Sequence, residues 1–322
     1  MASSTGAGTG AGAGMPAAGA AEVSTAPGAA GTSGVSSGVS GAAAEEASCF
    51  GHAPVPPQAV LAYGDLPEHL ADVHLPPTGP AAGAAWPLVL LFHGGAWRAR
   101  HDRAHLSPFA AMLAGRGFAV ASVEYRRGDG RTRAGRWPDT FDDIAAAVDT
   151  LPGLVRAQPW GEAVDAGRLL LAGHSAGGHA ALWAAARHRL PLGSRWRLSG
   201  SAPAPTGVVA LAPIADFATA RTMRVCGDAV DQLLGSGPDI RARSPQLDPA
   251  ALLPTGVPTT IVHGGSDIDV PPRISRTFVQ AAGSAGQRVR LTLVEGVGHF
   301  AVIDPAVPAA HIAADELWRL LG

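Results

Sequence analysis

Residues 168–179, with the sequence RLLLAGHSAGGH, decide the predicted fold of this chain. The apolar run at 169–172 is typical of a buried strand in a parallel sheet, and the alanine-rich segment 180–187 is typical of a helix. Between them, glycines on both sides of Ser175 would let strand and helix pack closely without Cβ clashes. The first N–H groups of that helix would point at the space in front of Ser175 and stabilise a negative charge there. The stretch therefore predicts acyl-transfer chemistry at a serine.

The Gly-x-Ser-x-Gly pattern is a weak signal by itself, because the chain has 42 glycines and a second match occurs at residues 34–38. That second match, around Ser36, lies in a polar glycine-rich segment with no apolar strand before it and no helical segment after it. The local context therefore selects Ser175 and rejects Ser36.

Length, charge and composition restrict the class of protein. The 322-residue chain has a formal net charge of −2, which gives no reason to expect a nucleic-acid partner. No apolar run reaches the roughly 18 residues of a membrane span, and the amino terminus lacks the pattern of a secretory signal, so we expect a cytoplasmic protein. The two cysteines make no disulfide framework, and we expect no metal and no cofactor. The sequence leaves the oligomeric state open.

The chain divides into two predicted parts. Residues 1–50 consist almost entirely of Ala, Gly, Ser and Thr, which predicts a disordered tail in which Met15 is a candidate alternative start. Residues 51–322 alternate between strand and helix candidates, which predicts one α/β catalytic domain with a mostly parallel central sheet and helices on both faces. Short helical pieces at 214–254 form a small insertion after the sixth predicted strand.

Ligands of parallel sheets bind beyond the carboxyl ends of the strands. Each polar or glycine-rich cluster of this chain follows a predicted strand, so we expect the clusters to meet at one site; they are residues 93–97, 173–177, 264–271 and 296–299.

A serine hydroxyl needs a histidine to accept its proton, and the histidine needs an acid to fix its tautomer and stabilise its cation. The chain order serine, acid, histidine selects Asp267 and His299 after Ser175. Asp269 is the alternative acid, and Asp267 is favoured because it lies nearer to the end of its strand.

An acyl-transfer site also needs backbone donors directed at the developing oxyanion. The N–H group of Ala176 is one candidate, and Gly94 and Gly95 supply others because a backbone without Cβ atoms can approach a substrate closely. Trp97 and His174 are predicted to border the substrate pocket.

From about residue 60 to residue 320, the chain resembles the α/β-hydrolase superfamily. Its motifs are similar to those of the esterase branch that includes bacterial feruloyl and acetylxylan esterases and kynurenine formamidase-like (arylformamidase) enzymes. The motifs are HGGAW at 93–97, Glu124-Tyr125-Arg126, Trp137-Pro138 followed by Asp143, Asp165 with Arg168, and GHSAGGH at 173–179.

This resemblance implies the same roles for the selected residues: Ser175 as nucleophile, Asp267 as acid and His299 as base. It also implies an oxyanion hole made by Gly94, Gly95 and Ala176. Ala96 departs from both neighbouring patterns, because hormone-sensitive-lipase relatives usually carry a third glycine there and kynurenine formamidases more often carry tyrosine.

We therefore expect a serine hydrolase that cleaves small carboxylic esters through an acyl-enzyme. An arylformamidase acting on N-formyl aromatic amines is the alternative, because attack on a formamide develops the same oxyanion. A non-catalytic binding protein with this fold is the third hypothesis, and the presence of every triad member argues against it.

Two groups of arginines leave carboxyl strand ends and could favour an acidic substrate. Solvated surface charge is the favoured interpretation of both groups. They are Arg98, Arg100 and Arg103, and then Arg126, Arg127, Arg131, Arg133 and Arg136.

Overall fold

A nine-stranded β-sheet lies at the centre of the structure. The computed structural model describes residues 1, 22–26, 38–128, 133–198, 204–235 and 238–322. Within these ranges the strands are β1 (Glu22–Ala26), β2 (Ala59–Ala62), β3 (Leu70–His74), β4 (Trp86–Phe92), β5 (Ala119–Val123), β6 (Val164–His174), β7 (Gly207–Leu211), β8 (Thr259–Gly264) and β9 (Val289–Val294).

The sheet is parallel except near one edge. Its spatial order is β1-β9-β8-β7-β6-β4-β5-β3-β2, and among the described strands only β3 pairs antiparallel, with β5 on one side and β2 on the other. The carboxyl ends of β4, β6, β8 and β9 therefore lie along the same edge of the sheet, where a ligand site of this architecture forms. This arrangement confirms the predicted mostly parallel α/β fold.

Helices cover both faces of the sheet. In chain order they are α1 (Gly38–Phe50), α2 (Ser107–Gly115), α3 (Asp139–Arg156), α4 (Ala176–Ala185), α5 (Phe217–Thr222), α6 (Ala229–Leu234), α7 (Pro238–Leu247), α8 (Arg273–Ser284) and α9 (Pro308–Arg319). Helices α5, α6 and α7 lie between β7 and β8, where the sequence predicts a small insertion.

Each central strand is buried on two sides, which explains its continuous apolar sequence. Successive side chains of a strand point to opposite faces. Leu88 and Leu90 of β4 pack in the core that includes residues of α3, α4 and α8, whereas Val89 and Leu91 pack in the core that includes residues of α2 and α9.

The amino-terminal segment differs from its predicted disorder. Residues 22–26 form β1, which pairs in parallel with β9, and residues 38–50 form α1. Cys49 is only 4% exposed and packs in the core on the α2 and α9 side. The prediction averaged apolar content over the whole tail, whereas tertiary packing supplies most of the stability of a helix in a protein. Residues 2–21 and 27–37, including Ser36, lie outside the described ranges.

The strand–serine–helix connection requires a glycine at position 177. A Cβ atom at Gly177 would lie 2.1 Å from the Phe92 carbonyl oxygen and 2.5 Å from that of His93. Backbone atoms at the end of β4 can move away only at a large cost in free energy. We therefore expect Gly177→Ala to lower the free energy of unfolding by about 1–3 kcal/mol or more. Urea unfolding of both proteins measures this difference.

Gly153→Ala is the matched control for that substitution. Gly153 lies within α3, and a Cβ atom there would meet no atom within 4 Å. Alanine stabilises a helix interior relative to glycine by up to about 1 kcal/mol, so the same chemical change should act in the opposite direction. Equal effects of the two substitutions would contradict the close approach between α4 and β4.

Candidate active site

Ser175 occupies a sharp turn between β6 and α4. Its backbone has a φ of 58° and a ψ of −118°, a strained conformation for a residue with a side chain. The Ser175 N–H donates to the Leu211 carbonyl oxygen at 2.8 Å, which ties the turn to the neighbouring strand β7. Among the described residues, none forms a hydrogen bond with the Ser175 hydroxyl. The fold therefore presents this hydroxyl at the carboxyl edge of the sheet, as the sequence predicts.

The loop after β4 lies directly against this turn. A Cβ atom at Gly94 would lie 3.2 Å from Ser175 Cβ and 3.0 Å from His174 Nδ1. The described residues supply no acceptor for the N–H groups of Gly95 and Ala176. The structure thus brings the predicted oxyanion-hole residues next to the predicted nucleophile.

A buried polar network holds the loop after β4. His93 Nδ1 donates to the Gly94 carbonyl oxygen at 2.8 Å, and His93 Nε2 lies 3.0 Å from the Glu124 carboxylate. The Tyr125 hydroxyl donates to the His93 carbonyl oxygen at 2.6 Å. Burial alone would raise the pKa of Glu124, but the neighbouring His93 and Arg127 side chains outweigh it and lower that pKa to about 2. Glu124 therefore stays ionised and fixes the loop.

The predicted acid and the predicted base form a hydrogen-bonded pair. His299 Nδ1 donates to Asp267 Oδ2 at 2.6 Å, and both residues are buried. Asp267 Oδ1 accepts the N–H groups of Asp269 and Val270 at 2.9 and 2.8 Å. The alternative acid Asp269 lies at the wall of the cavity in front of Ser175.

The pair is electrostatically polarised. Burial alone would raise the pKa of Asp267, but His299 and His263 hold it well below its usual range. Burial alone would lower the pKa of His299, but the carboxylates of Asp267, Asp269 and Glu45 outweigh it and raise that pKa. His263 Nε2 lies 3.2 Å from Asp267 Oδ2, so this strand histidine contacts the acid as well as packing in the core.

Ser175 and His299 open onto one cavity of about 510 Å³, a volume within the range of small-molecule sites. His174, which the sequence places at the pocket, also lines it. Beyond these three residues, the wall is formed by Glu46, Phe50, Gly95, Ala96, Arg98, Arg100, His101, His105, Cys226, Gly227, Asp269 and Phe300.

Trp97 does not reach this cavity, contrary to the prediction. Its side chain is fully buried, with ring centroids 5.2 Å from His179 and 6.2 Å from Phe217. The loop takes positive φ values at Ala96 and Trp97, and in this turn the indole packs in the core instead of the pocket.

One wall of the cavity is aromatic. The ring of Phe50 lies 5.1 Å from His101, 5.3 Å from His105 and 5.4 Å from Phe300. Burial lowers the pKa of His101 to about 4 and that of His105 to about 3, so both imidazoles are neutral at pH 7. Sequence analysis missed these residues because Phe50 falls in the predicted tail and the two histidines form no recognisable motif.

The arginine groups are largely neutralised by carboxylates. Arg100 lies 2.9 Å from Glu46, Arg103 lies 2.9 Å from Asp72, and Arg126 lies 2.6 Å from Asp143. Arg98 and Arg100 line the cavity together with Glu46 and Asp269, so the positive charges of its wall are matched by negative ones. This balance gives no support to a preference for acidic substrates. Arg131 lies outside the described residues.

A serine on a strand–helix turn and an acid–histidine pair, placed at the same carboxyl edge of a mostly parallel sheet, are features of the α/β-hydrolase class of protein. The profile of the BD-FAE family matches residues 71–281, about two thirds of the chain. This chain belongs to the BD-FAE family, and the resemblance found in its sequence is confirmed.

The curated relatives that match about three quarters of this chain are esterases. An isoprenylcysteine alpha-carbonyl methylesterase of Arabidopsis thaliana is 26% identical over 74% of this chain and 55% of its own length. The chain thus spans about half the length of the curated relatives it matches. These relatives support a hydrolase of the esterase type.

Solved structures share the fold. A truncated carbohydrate esterase from gut microbiota superposes with a TM-score of 0.66 at 21% identity, covering 84% of this chain and 99% of that one. Esterase B from Lactobacillus Rhamnosis gives a TM-score of 0.69 at 20% identity, covering 88% of this chain and 91% of that one.

Within the ranges that the structure describes, every helix is too short or too polar to traverse a bilayer.

Proposed function

We propose that this protein is a serine hydrolase that cleaves small carboxylic esters, with Ser175 as nucleophile, His299 as general base and Asp267 as the acid. The N–H groups of Gly94, Gly95 and Ala176 would form its oxyanion hole. The observation that carries the proposal is the 2.6 Å hydrogen bond from His299 to Asp267 beside the cavity that Ser175 lines.

In the first half of the reaction, His299 takes the hydroxyl proton of Ser175 while Oγ attacks the ester carbonyl carbon. The carbonyl oxygen gains the negative charge and is stabilised by the backbone donors at the amino terminus of α4 and in the loop after β4. Collapse of this intermediate breaks the ester C–O bond. His299 returns its proton to the leaving alkoxide, and an acyl-serine remains.

In the second half, His299 removes a proton from water, which attacks the acyl-serine carbonyl. The same donors stabilise the second intermediate, and the proton on His299 returns to Ser175 Oγ as the carboxylic acid leaves. Throughout, the ionised Asp267 stabilises the imidazolium of His299 and keeps a proton on Nδ1.

The cavity and the relatives support a small ester as substrate. The names of similar proteins describe a methylesterase and a carbohydrate esterase. The aromatic wall around Phe50 would pack against a planar or apolar group of the substrate. That wall is also the observation that keeps an arylformamidase as the second candidate, since an N-formyl aromatic amine would present such a ring.

Hydrolysis of p-nitrophenyl acetate and of N-formylkynurenine by the same preparation separates these functions. We expect kcat/KM to be higher for the ester. A higher value for the formamide would establish the arylformamidase. Absence of turnover together with absence of labelling by a fluorophosphonate would contradict both, and would favour a binding protein with a hydrolase fold.

The raised pKa of His299 predicts the pH dependence of the reaction. His299 accepts a proton only when it is neutral, so kcat/KM for a neutral ester should fall as pH drops through its pKa. Because Asp267 and the neighbouring carboxylates raise that pKa, we expect the midpoint above the ordinary histidine value of 6.5. A pH profile of p-nitrophenyl acetate hydrolysis measures it, and a midpoint at or below the ordinary value would contradict the assigned pair.

A further inference from the structure

Helix α1 lies on the loop that carries His299. This loop, residues 295–304, follows β9 and contacts α1 at several places. The Phe50 ring packs edge-on against Phe300 at a centroid distance of 5.4 Å. The Ser48 hydroxyl donates to Asp304 Oδ2 at 2.6 Å, and His52 Nε2, just after the helix, lies 2.7 Å from Asp304 Oδ1.

Glu45 contacts the backbone directly beside His299. Its Oε1 accepts the N–H group of Gly298 at 2.7 Å, and Gly298 directly precedes His299 in the chain. A Cβ atom at Gly298 would lie 2.7 Å from Glu45 Oε2, so the carboxylate sits against the backbone itself.

The other side of this backbone is equally restricted. A Cβ atom at Gly264 would lie 2.1 Å from the Gly298 carbonyl oxygen, so the end of β8 packs directly against the same residue. Gly298 is therefore held between β8 and the Glu45 side chain. Ser48 and His52, which follow Glu45 by about one and two helical turns, both contact Asp304. These contacts hold α1 against the loop, and they therefore hold Glu45 in place.

We propose that Glu45 is a positioning residue for the general base: it fixes the Gly298 backbone, and through it the placement of the His299 ring between Asp267 and Ser175. The inference rests on the proposed function, in which His299 moves the proton. It also assigns a role to a segment of the chain whose composition predicts no structure.

The charge of Glu45 acts on the same imidazole. Among the described residues, the titratable groups facing His299 are Asp267 and Asp269 after β8, His174 at the end of β6, and Glu45 of α1. Burial raises the pKa of Glu45, whereas the Gly298 hydrogen bond lowers it. When ionised, this carboxylate stabilises the imidazolium of His299, so its removal should lower the pKa of His299.

The test uses the full chain with Glu45→Ala and Glu45→Gln, and Ala44→Gln as the control. Ala44 is exposed on the same helix, so its substitution keeps the contacts of α1. We expect Glu45→Ala to lower kcat for p-nitrophenyl acetate about tenfold with little change in KM, because a displaced base slows proton transfer and not binding.

Glu45→Gln distinguishes positioning from general support of the fold. Its amide oxygen can still accept the Gly298 N–H, so we expect most of kcat to return while the acid limb of the pH profile moves to lower pH. Ala44→Gln should leave both quantities at the wild-type values. Thermal unfolding of each variant checks that α1 stays folded, and Glu45→Gln keeps the test decisive if Glu45→Ala does not fold.

Failure of the inference and failure of the proposed function give different results. If wild type hydrolyses esters but both Glu45 variants match it in kcat and in pH profile, the positioning role is overturned and the serine hydrolase stands. If wild type neither hydrolyses esters nor reacts with a fluorophosphonate, the proposed function falls, and the inference falls with it.

Discussion

Replacement of Ser175 by alanine is expected to lower kcat/KM for p-nitrophenyl acetate by about 10⁵- to 10⁶-fold, because no other group can form the acyl-enzyme. Ser175 is the residue at which the strained turn, the amino terminus of α4 and the Gly94 backbone meet. The same substitution should abolish covalent labelling by a fluorophosphonate, while thermal unfolding stays close to that of wild type.

Ser36→Ala is the matched control, because Ser36 lies in the second Gly-x-Ser-x-Gly match of the chain. We expect this variant to keep the full rate and full labelling. Labelling that persists in Ser175→Ala would place the nucleophile elsewhere, and loss of labelling in Ser36→Ala would contradict the choice between the two matches.

Asp267→Asn is expected to reduce kcat by about 10⁴-fold, because it would hold the His299 imidazole in a tautomer that cannot act as a base towards Ser175. Asp267 Oδ1 accepts two backbone N–H groups. The amide oxygen of an asparagine would accept the same two groups, and its NH₂ group would therefore face His299 Nδ1. An NH₂ group donates, so Nδ1 would lose its proton and Nε2 would carry one. His299 could then no longer accept the proton of Ser175.

Asp269→Asn is the control, because Asp269 is the alternative acid and its hydrogen bond to Asp267 comes from its backbone N–H group, which the substitution keeps. We expect a change in kcat of less than about tenfold, since Asp269 influences His299 only as a neighbouring charge. Steady-state kinetics of both variants decide the assignment: a larger loss in Asp269→Asn than in Asp267→Asn would make Asp269 the acid.

Local sequence was sufficient to predict those parts of the candidate site that are formed by residues adjacent to the end of a single strand. The turn at Ser175 follows from an apolar strand, close-packed glycines and a following helix, all of which are adjacent in the chain. The same holds for Gly94 and Gly95 after β4. Asp267 and His299 could be selected because the order of strands brings their loops to one edge of the sheet.

Packing between distant segments could not be predicted in the same way. Trp97 follows the glycines of the loop after β4, yet it packs in the core against His179 and Phe217. Asp267 and Asp269 are two residues apart, and the hydrogen bond of Asp267 to His299 could not be read from the sequence. The polar network at Glu124 likewise joins residues whose partners lie on other strands.

The amino-terminal segment gives the largest contrast. Its composition predicts disorder, yet α1 contacts the loop after β9 through Glu45, Ser48 and Phe50, and that loop lies about 250 positions further along the chain. Hydrophobic periodicity and turn residues act within a few positions, so local patterns were sufficient to predict the sheet, the serine turn and the order of the candidate site residues along the chain. The cavity wall, the hydrogen bond between Asp267 and His299 and the contacts of α1 with the loop after β9 join side chains that are distant in the chain, so they became visible only in the folded structure.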